Sequence, residues 1–363
     1  MNEHSRRTFF KWAGLASAAL ATPLSLLAQQ RGSSGSNAPE SGESFGDNPP
    51  PENLAGKGEV PRRKFGKTDV VVSAIGLGGH TFAQAKTKEE SIRIVHEAVD
   101  NGITFMDNAW EYHQGKSEIL MGEALQGRRD KVFLMSKLCS HGRDRKFSMA
   151  QLEETLRRLK TDYLDLWQIH EVVYENDPDL HFAKGGATEA LLEAKQQGKV
   201  RFIGFTGHKS PQIHQKMLAH DFPFDAVQLP LCGFDASFRS FEREVLPTLV
   251  KRGIAPIGMK SLNGNAEAVK QGVIKPEDAI RYAMSLPVTT TVSGIDSLEI
   301  LRKNLQIARN FTPMTKEEKQ AFRKQCATYA ADGRFELYKT SIRYEGPPGR
   351  EQHGFPPPSA QPS

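Results

Sequence analysis

Eight short apolar segments, separated by helix-like stretches, constrain the fold of this 363-residue chain more than any other feature. Each segment is too short for a helix and is rich in Val, Ile, Leu or Phe, as expected of strands buried on both faces. They are Ala74–Gly78, Thr104–Asp107, Val132–Lys137, Tyr163–His170, Val200–Thr206, Ala226–Pro230, Ala255–Met259 and Thr289–Gly294. Because they recur about every thirty residues, they predict one α/β domain, a closed (β/α)8 TIM barrel.

The stretches around these segments carry their own signals. A small β-hairpin is predicted at Arg62–Ser73, before the first barrel strand. The rival fold, an open doubly wound sheet, usually carries a Gly-rich fingerprint after its first strand, and the run Gly76–Gly79 lacks the spaced third Gly. Helical periodicity and cap residues predict helices at Ser148–Leu159, Ala187–Gln197 and Ser297–Phe311. The first and third of these helices are expected to be N-capped by Ser148 and Ser297.

The first thirty residues have the layout of an export signal. Ser5–Lys11 (SRRTFFK) resembles the twin-arginine (Tat) signal position by position, and a moderately apolar stretch, Trp12–Ala28, follows it. This predicts recognition by the Tat export machinery and a periplasmic or other extracytoplasmic location, with membrane anchoring if the signal is not cleaved. The cleavage site stays ambiguous, and a basic amphipathic or buried helix is the alternative reading.

Composition divides the remainder of the chain. Residues 31–58 are Gly, Ser, Pro, Asn and Glu with few apolar residues, which predicts a flexible linker. Residues 59–345 form the expected barrel with a C-terminal extension, in which Thr315–Tyr329 predicts an amphipathic helix. Residues 346–363 predict a Pro-rich disordered tail.

Charge and cysteine content exclude several classes of function. Lys and Arg number 48 and Asp and Glu 43, and the mild excess is spread along the chain, so nucleic acid is not an expected partner. Three cysteines without C-x-x-C spacing predict neither a disulfide framework nor a structural zinc site. Cys139, next to a strand end, is expected to be a small apolar filler.

Four chemically complementary residues follow neighbouring predicted strands. Asp107, Lys137 and His170 lie at strand ends, and Tyr112 lies on the loop after Asp107. Chemistry in a barrel sits at the carboxyl ends of its strands, so these side chains should share one mouth. Lys137 should lower the pKa of Tyr112, and Asp107 should hold the ammonium group. A tyrosine in this setting can exchange a proton with a carbonyl oxygen, although each residue alone also has an ordinary structural explanation.

The sequence resembles the aldo-keto reductase family along nearly all of residues 60–312. The resemblance rests on Phe105–Tyr112 with Gly115–Glu118, on Ser136-Lys137, and on Asp162–Leu166 with His170. It implies reduction of an aldehyde or ketone, or oxidation of the alcohol, with hydride from NADP(H) or NAD(H) and no metal. It also implies that Asp332–Tyr344 shapes the substrate pocket near the mouth.

The residues expected to hold the cofactor follow from the same resemblance. Gln228 matches the family's contact to the nicotinamide amide, and Thr206 replaces its serine while His208 stands near its usual asparagine. After the seventh strand, Met259 should pack on the ring and Lys260 should lie near the pyrophosphate, and Ser261 is a further expected cofactor-binding residue.

The residues after the eighth strand do not decide whether the cofactor is NAD(H) or NADP(H). Asp296 stands where many family members have an arginine for the 2′-phosphate, which leans toward NAD(H). Arg302 or Lys303 would compensate and restore the family default, NADP(H). The family's remaining positions here are matched by Gly294, Ser297 and Asn304.

Three more residues lie near the predicted mouth, and two other functions are alternatives. Trp110 is the expected substrate wall, whereas His113 and His141 lack metal-ligand spacing. One alternative is a dinucleotide-binding barrel that acts as a sensor or structural partner without turnover. Another is an isomerase or hydrolase, which would need a metal cluster or two facing carboxylates. The substrate's identity and the oligomeric state are left open.

Overall fold

The computed structural model describes residues 44–358. A two-stranded antiparallel sheet, β1–β2, precedes a closed barrel of eight parallel strands in the order β10-β3-β4-β5-β6-β7-β8-β9. The strands are β1 Arg62–Lys64, β2 Val71–Ser73, β3 Ile75–Leu77, β4 Phe105–Met106, β5 Phe133–Leu138, β6 Leu164–Ile169, β7 Val200–Thr206, β8 Ala226–Pro230, β9 Ala255–Met259 and β10 Thr290–Ser293. All eight predicted barrel strands and the hairpin are present.

Closure of the barrel excludes the open doubly wound sheet. The last strand, β10, pairs in parallel with β3 on one side and with β9 on the other, with Ser293 opposite Leu77. Every residue of β3, β5, β6 and β8 is buried, which explains why these strands read as continuous apolar runs rather than as alternating patterns.

Helices connect the strands and surround the barrel. They are α1 Gly79–Phe82, α2 Lys88–Asp100, α3 Lys116–Ala124, α4 Arg145–Leu159, α5 Asp177–Phe182, α6 Ala187–Gln196, α7 Pro211–Ala219, α8 Phe241–Glu244, α9 Leu246–Arg252, α10 Glu267–Lys270, α11 Pro276–Ser285, α12 Leu298–Arg309, α13 Lys316–Ala327, α14 Leu337–Thr340 and α15 Pro347–Gln352. Within the described part of the chain, no helix is long and apolar enough to cross a membrane.

One predicted helix start is wrong. Helix α4 begins at Arg145 and is capped by Asp144, whose carboxylate accepts the backbone N–H of Phe147 at 2.7 Å. Ser148, the expected cap, is buried inside the helix. The capping position requires extended backbone and a free acceptor, and Asp144 supplies both one turn earlier. Helix α12 does begin after Ser297, as predicted.

The hairpin fills one end of the barrel. Phe65 and Val72 pack in one buried cluster with Phe105, Phe133 and Leu166 from barrel strands. Aromatic rings contact one another through this cluster, with 4.7 Å between the ring centres of the tilted pair Phe65 and Phe133. Because this end is solid with side chains, the carboxyl ends of the strands are left for the functional site.

Two parts of the expected linker and tail pack against the folded unit. In the linker, Asp47 forms a 2.6 Å ion pair with Arg323, and Lys319 donates to the carbonyl of Gly46. In the tail, residues 347–352 form α15, where Arg350 pairs with Glu345 at 2.6 Å. Composition suggested disorder here because few residues are apolar, whereas buried charge pairs provide the contacts. The export signal, residues 31–43 of the linker and residues 359–363 lie outside the described residues.

Residues 332–353, which we call the C-terminal segment, lie over the carboxyl ends of the barrel strands. The N–H of Gly346 donates to the carboxylate of Glu171 at 2.9 Å, just after β6. Lys209, after β7, donates to the carbonyl of Ser341 at 2.8 Å and to Glu345 at 2.9 Å. The position expected for Asp332–Tyr344, near the mouth, is therefore confirmed.

Candidate active site

Three of the four predicted catalytic residues are directly connected at the carboxyl ends of adjacent strands. The ammonium group of Lys137 in β5 donates to Asp107 Oδ1 at 2.8 Å and to the Asn108 carbonyl at 2.8 Å. It also lies 3.3 Å from the hydroxyl oxygen of Tyr112. Lys137 and Asp107 are almost fully buried, so the ion pair is fixed in position and shielded from water.

The fourth residue, His170, follows β6 and faces the same tyrosine. The rings of Tyr112 and His170 meet edge to face, with 5.5 Å between their centres. Burial lowers the pKa of His170 to about 3, which keeps its imidazole neutral near pH 7. Its Nδ1 atom lies 2.7 Å from Glu111 Oε1, yet the two groups are not aligned as a hydrogen bond.

The expected effect of Lys137 on Tyr112 is not found. Burial raises the pKa of Tyr112 well above its usual value, and the carboxylates of Asp107, Glu111 and Glu171 raise it further. Burial also lowers the pKa of Lys137, although Asp107 opposes that change. Desolvation and nearby negative charge therefore outweigh the single ammonium group, and the tyrosine rests in its protonated form.

Gln228 is placed to join this network to a ligand. Its Nε2 atom donates to Asp107 Oδ2 at 2.8 Å. Its Oε1 atom is buried and has no hydrogen-bond partner among the described residues. An unsatisfied buried oxygen costs about 1–3 kcal/mol, so a donor such as a carboxamide N–H would be stabilised there.

The residues predicted to hold the cofactor after β7 and β9 lie along the same rim. Thr206 and Ser261 are buried and Met259 is half-buried. Lys260 has a left-handed backbone with φ of 58°, and burial lowers its pKa to about 8. Its ammonium group faces aromatic rings of the C-terminal segment, 5.4 Å from the centre of Tyr338 and 5.0 Å from that of Tyr344.

After β10 the predicted cofactor residues divide into exposed and structural ones. Gly294 and Asp296 are exposed, Ser297 caps α12, and Asn304 donates to Ser293 Oγ at 2.9 Å. The two cations proposed to compensate for Asp296 have other partners. Arg302 pairs with Glu97 at 2.7 Å, and Lys303 with Glu299 at 2.7 Å.

Trp110, the expected substrate wall, packs against α4. Its indole N–H donates to Glu154 of α4 at 2.7 Å. The guanidinium group of Arg158, also in α4, lies 5.5 Å from the ring centre and donates to the Trp110 carbonyl. These contacts hold the half-buried ring against α4, because an indole N–H that leaves water needs an acceptor.

Two carboxylates that the sequence analysis did not select stand beside the catalytic candidates. Glu111 directly precedes Tyr112, and Glu171 directly follows His170. The side chains of both glutamates are largely buried. Burial raises the pKa of Glu171 to about 7, and the charge of Glu111 adds to this shift. Their adjacency to the predicted residues was the available signal.

In the part of the chain that the structure describes, two groups of side chains have donor atoms close enough to hold a metal ion. One is Glu111, His170 and Glu171, and the other is His141, Asp177 and His353. The second group comes from residues far apart in sequence, so ligand spacing could not reveal it. The expected absence of a metal stays a prediction.

The geometry is that of a barrel oxidoreductase, and comparison with known proteins agrees. The family model described as "Aldo/keto reductase family" matches residues 74–271. The chain is 27% identical over 304 residues to the uncharacterized oxidoreductase YqkF of Bacillus subtilis, covering 72% of this chain and 94% of that protein. It is also 32% identical over 195 residues to the aldo-keto reductase YhdN of the same organism, covering 50% of this chain and 55% of that one.

Solved structures share the fold. The aldo-keto reductase AKR11C1 from Bacillus halodurans is 24% identical and matches with a TM-score of 0.61, over 73% of this chain and 95% of that one. An aldo/keto reductase from Klebsiella pneumoniae, in complex with NADP and acetate, is 21% identical with a TM-score of 0.59, over 75% and 96%. The chain therefore belongs to the aldo/keto reductase family and is an NAD(P)-dependent oxidoreductase of that type.

Proposed function

We propose that this protein reduces an aldehyde or ketone, or oxidises the corresponding alcohol, with the hydroxyl group of Tyr112 as the proton donor and acceptor. The observation that carries the proposal is the buried connection of Asp107, Lys137 and the Tyr112 hydroxyl. An ion pair with only a structural role does not require a tyrosine hydroxyl next to its ammonium group. A reductase, in contrast, requires a proton donor beside the reacting oxygen.

The protonation states support the direction of proton transfer. A bound nicotinamide dinucleotide would supply the hydride. The substrate oxygen gains negative charge as the carbonyl is reduced, and an alkoxide is a far stronger base than a phenolate. Tyr112 can therefore give up its proton in spite of its raised pKa. Lys137 then stabilises the phenolate oxygen, and Asp107 keeps the ammonium group in position.

His170 would orient the substrate rather than exchange a proton. Its pKa of about 3 leaves the ring neutral, so one nitrogen carries a proton and can donate a hydrogen bond to the carbonyl oxygen. Donation from a neutral group polarises the carbonyl without adding a charge that would raise the cost of burial.

The dinucleotide would lie along the rim formed by β7 to β10. The unpartnered Oε1 of Gln228 fits a carboxamide N–H, and the Lys260 ammonium group would lie near the phosphates. The neighbour from Klebsiella pneumoniae was solved with NADP, which supports a dinucleotide of this class. Asp296 is exposed where the 2′-phosphate would lie, and its charge would repel that phosphate and favour NAD(H). Because the two observations favour different forms, we propose NAD(P)(H) as the cofactor.

Export through the Tat pathway is a separate part of the proposal. The Ser5–Lys11 motif supports it, and this pathway carries proteins that have already folded. A bound dinucleotide would therefore travel with the protein to the extracytoplasmic space.

Replacement of the proposed acid tests the function. Tyr112→Phe keeps the ring and removes one oxygen, so the rate of carbonyl-dependent oxidation of NAD(P)H should fall by about 10²–10⁴. Lys137→Met should cause a similar loss, and the double variant should lose little more, because both changes disable one proton donor. Turnover of an aromatic aldehyde is measured beside a titration of cofactor binding, which should barely change in Tyr112→Phe. A variant with normal cofactor binding and near-parental turnover would place the acid elsewhere.

A further inference from the structure

A cluster of two histidines and one aspartate joins the C-terminal segment to the barrel beside the candidate active site. His141 lies in the loop after β5, Asp177 begins α5, and His353 directly follows α15. Oδ1 of Asp177 lies 3.1 Å from Nδ1 of His141 and 3.0 Å from Nε2 of His353. The side chains of His141 and Asp177 are completely buried, and that of His353 is 9% exposed.

The carboxylate of Asp177 is held so that one oxygen faces both imidazoles. Its Oδ2 atom accepts the N–H groups of Val173 and Tyr174, each at 2.9 Å. Its Oδ1 atom is therefore fixed in direction and directed at the two rings. Carboxylates that bind metals are usually oriented by hydrogen bonds of this kind.

The conformation of His141 also points to a ligand. Its φ of 40° is in the left-handed region, which is unfavourable for a residue with a β-carbon. Its Nε2 atom is buried and has no hydrogen-bond partner within residues 44–358, so the polar interaction of the ring in this part of the chain runs through Nδ1 toward Asp177. Strain of this type persists where the surrounding structure fixes the residue, commonly at functional sites.

The electrostatic environment favours a cation. The carboxylate of Asp177 contacts both imidazole rings, so the centre of the cluster carries negative charge. That charge would stabilise a metal ion between the rings. Two neutral imidazoles and one carboxylate are the ligand types that divalent transition metals prefer.

We propose that His141, Asp177 and His353 bind a divalent transition-metal ion that fastens the C-terminal segment over the barrel mouth. Zinc bonds of about 2.0–2.2 Å in a tetrahedron place ligand atoms about 3.3 Å apart. The two distances from Asp177 Oδ1, 3.1 and 3.0 Å, are close to that value, and all three ligand atoms lie within 4.8 Å of one another. Three protein ligands leave one position for water. The ion would act as a clamp between α15 and the loops after β5 and β6, with no part in hydride transfer.

Metal titration tests the proposal, with Zn2+ as the probe. The full chain, without an affinity tag, is titrated against a chromophoric chelator. We expect one Zn2+ bound per chain, and at least about tenfold weaker binding by His353→Gln, which changes the ligand nearest the surface. His220→Gln is the matched control, because His220 is exposed and stacks on Phe182 away from the cluster. It should bind as the parent does.

Thermal unfolding with Zn2+ and a second ligand variant provide independent tests of the metal site. Zn2+ should raise the melting temperature of the parent and of His220→Gln but not of His353→Gln. Asp177→Asn retains an oxygen for the N–H groups of Val173 and Tyr174 and should also lose the metal. Absence of stoichiometric Zn2+ in the parent, or equal binding by His353→Gln, would show that the cluster is a hydrogen-bonded His–Asp–His group only. Neither result would bear on the proposed reductase activity, which is measured independently.

Discussion

Single buried charges decide the chemistry that this barrel mouth can support. Asp107 and Lys137 compensate each other, whereas Glu111 and Glu171 add negative charge beside Tyr112 and His170. The net result is a protonated tyrosine and a neutral histidine at rest. A site in this state can give a proton to a reduced carbonyl oxygen without first having to gain one.

Glu171 should make the protein less stable as pH rises. Its pKa is about 7 when folded, above the ordinary value of 4.5, so the folded state binds the proton more tightly. Between these values the free energy of unfolding should fall with rising pH, by roughly 3 kcal/mol in total, and then level off.

Denaturant unfolding across this range is the measurement. Glu171→Gln should remove the slope, raising stability at pH 8 and leaving it nearly unchanged at pH 4. Glu175→Gln, at an exposed carboxylate nearby, should retain the parental slope. An unchanged slope in Glu171→Gln would mean that another group binds the proton.

Asp296 should set the choice between NAD(H) and NADP(H). Asp296→Arg replaces a group that repels the 2′-phosphate with one that can bind it through two N–H donors. The ratio of NADP(H) to NAD(H) affinity should rise by about tenfold or more. Titration of both dinucleotides gives this ratio, and Lys303→Ala, which alters an ion pair on the outer face of α12, is the control. A constant ratio in Asp296→Arg would place Asp296 away from the ribose.

At the scale of elements, strand–helix alternation and the end of each strand carry most of the predictive signal. All eight barrel strands are found where the apolar runs placed them, and Asp107, Lys137 and Tyr112 meet as their strand positions indicated. Burial on both faces makes such strands visible in sequence. The side-chain contacts that the sequence could not predict join residues distant along the chain. Examples are the hydrogen bond from Trp110 to Glu154 and the contact of His353 with Asp177.

Two residues near the start of α4, Asp144 and Ser148, are both of a type that can cap a helix N-terminus. Asp144→Ala should lower the free energy of unfolding by about 1 kcal/mol, because the N–H of Phe147 loses its acceptor. Ser148→Ala should cost clearly less, since the buried Ser148 hydroxyl has no hydrogen-bond partner to lose in the described structure. Chemical denaturation of both variants compares them directly. The opposite order of losses would support Ser148 as the effective cap.

At the scale of the whole molecule, location should depend on the two arginines of the proposed signal. Replacing Arg6 and Arg7 together with Lys keeps the charge and should leave a folded, active protein in the cytoplasm. Cell fractionation with an activity assay locates it, and Lys11→Arg, which conserves charge beside the pair, should still be exported. Normal export of the double variant would remove the Tat assignment.

The packing of the C-terminal segment also sets an order of events during synthesis. The contact between Gly346 and Glu171 joins residues 175 positions apart, so the ribosome completes every barrel strand before it makes the residues that cover them. For that interval the nascent barrel has an uncovered rim. Lys260 then lacks the rings of Tyr338 and Tyr344, which its ammonium group faces in the completed protein. Assembly of the site is thus a matter of timing as well as of structure.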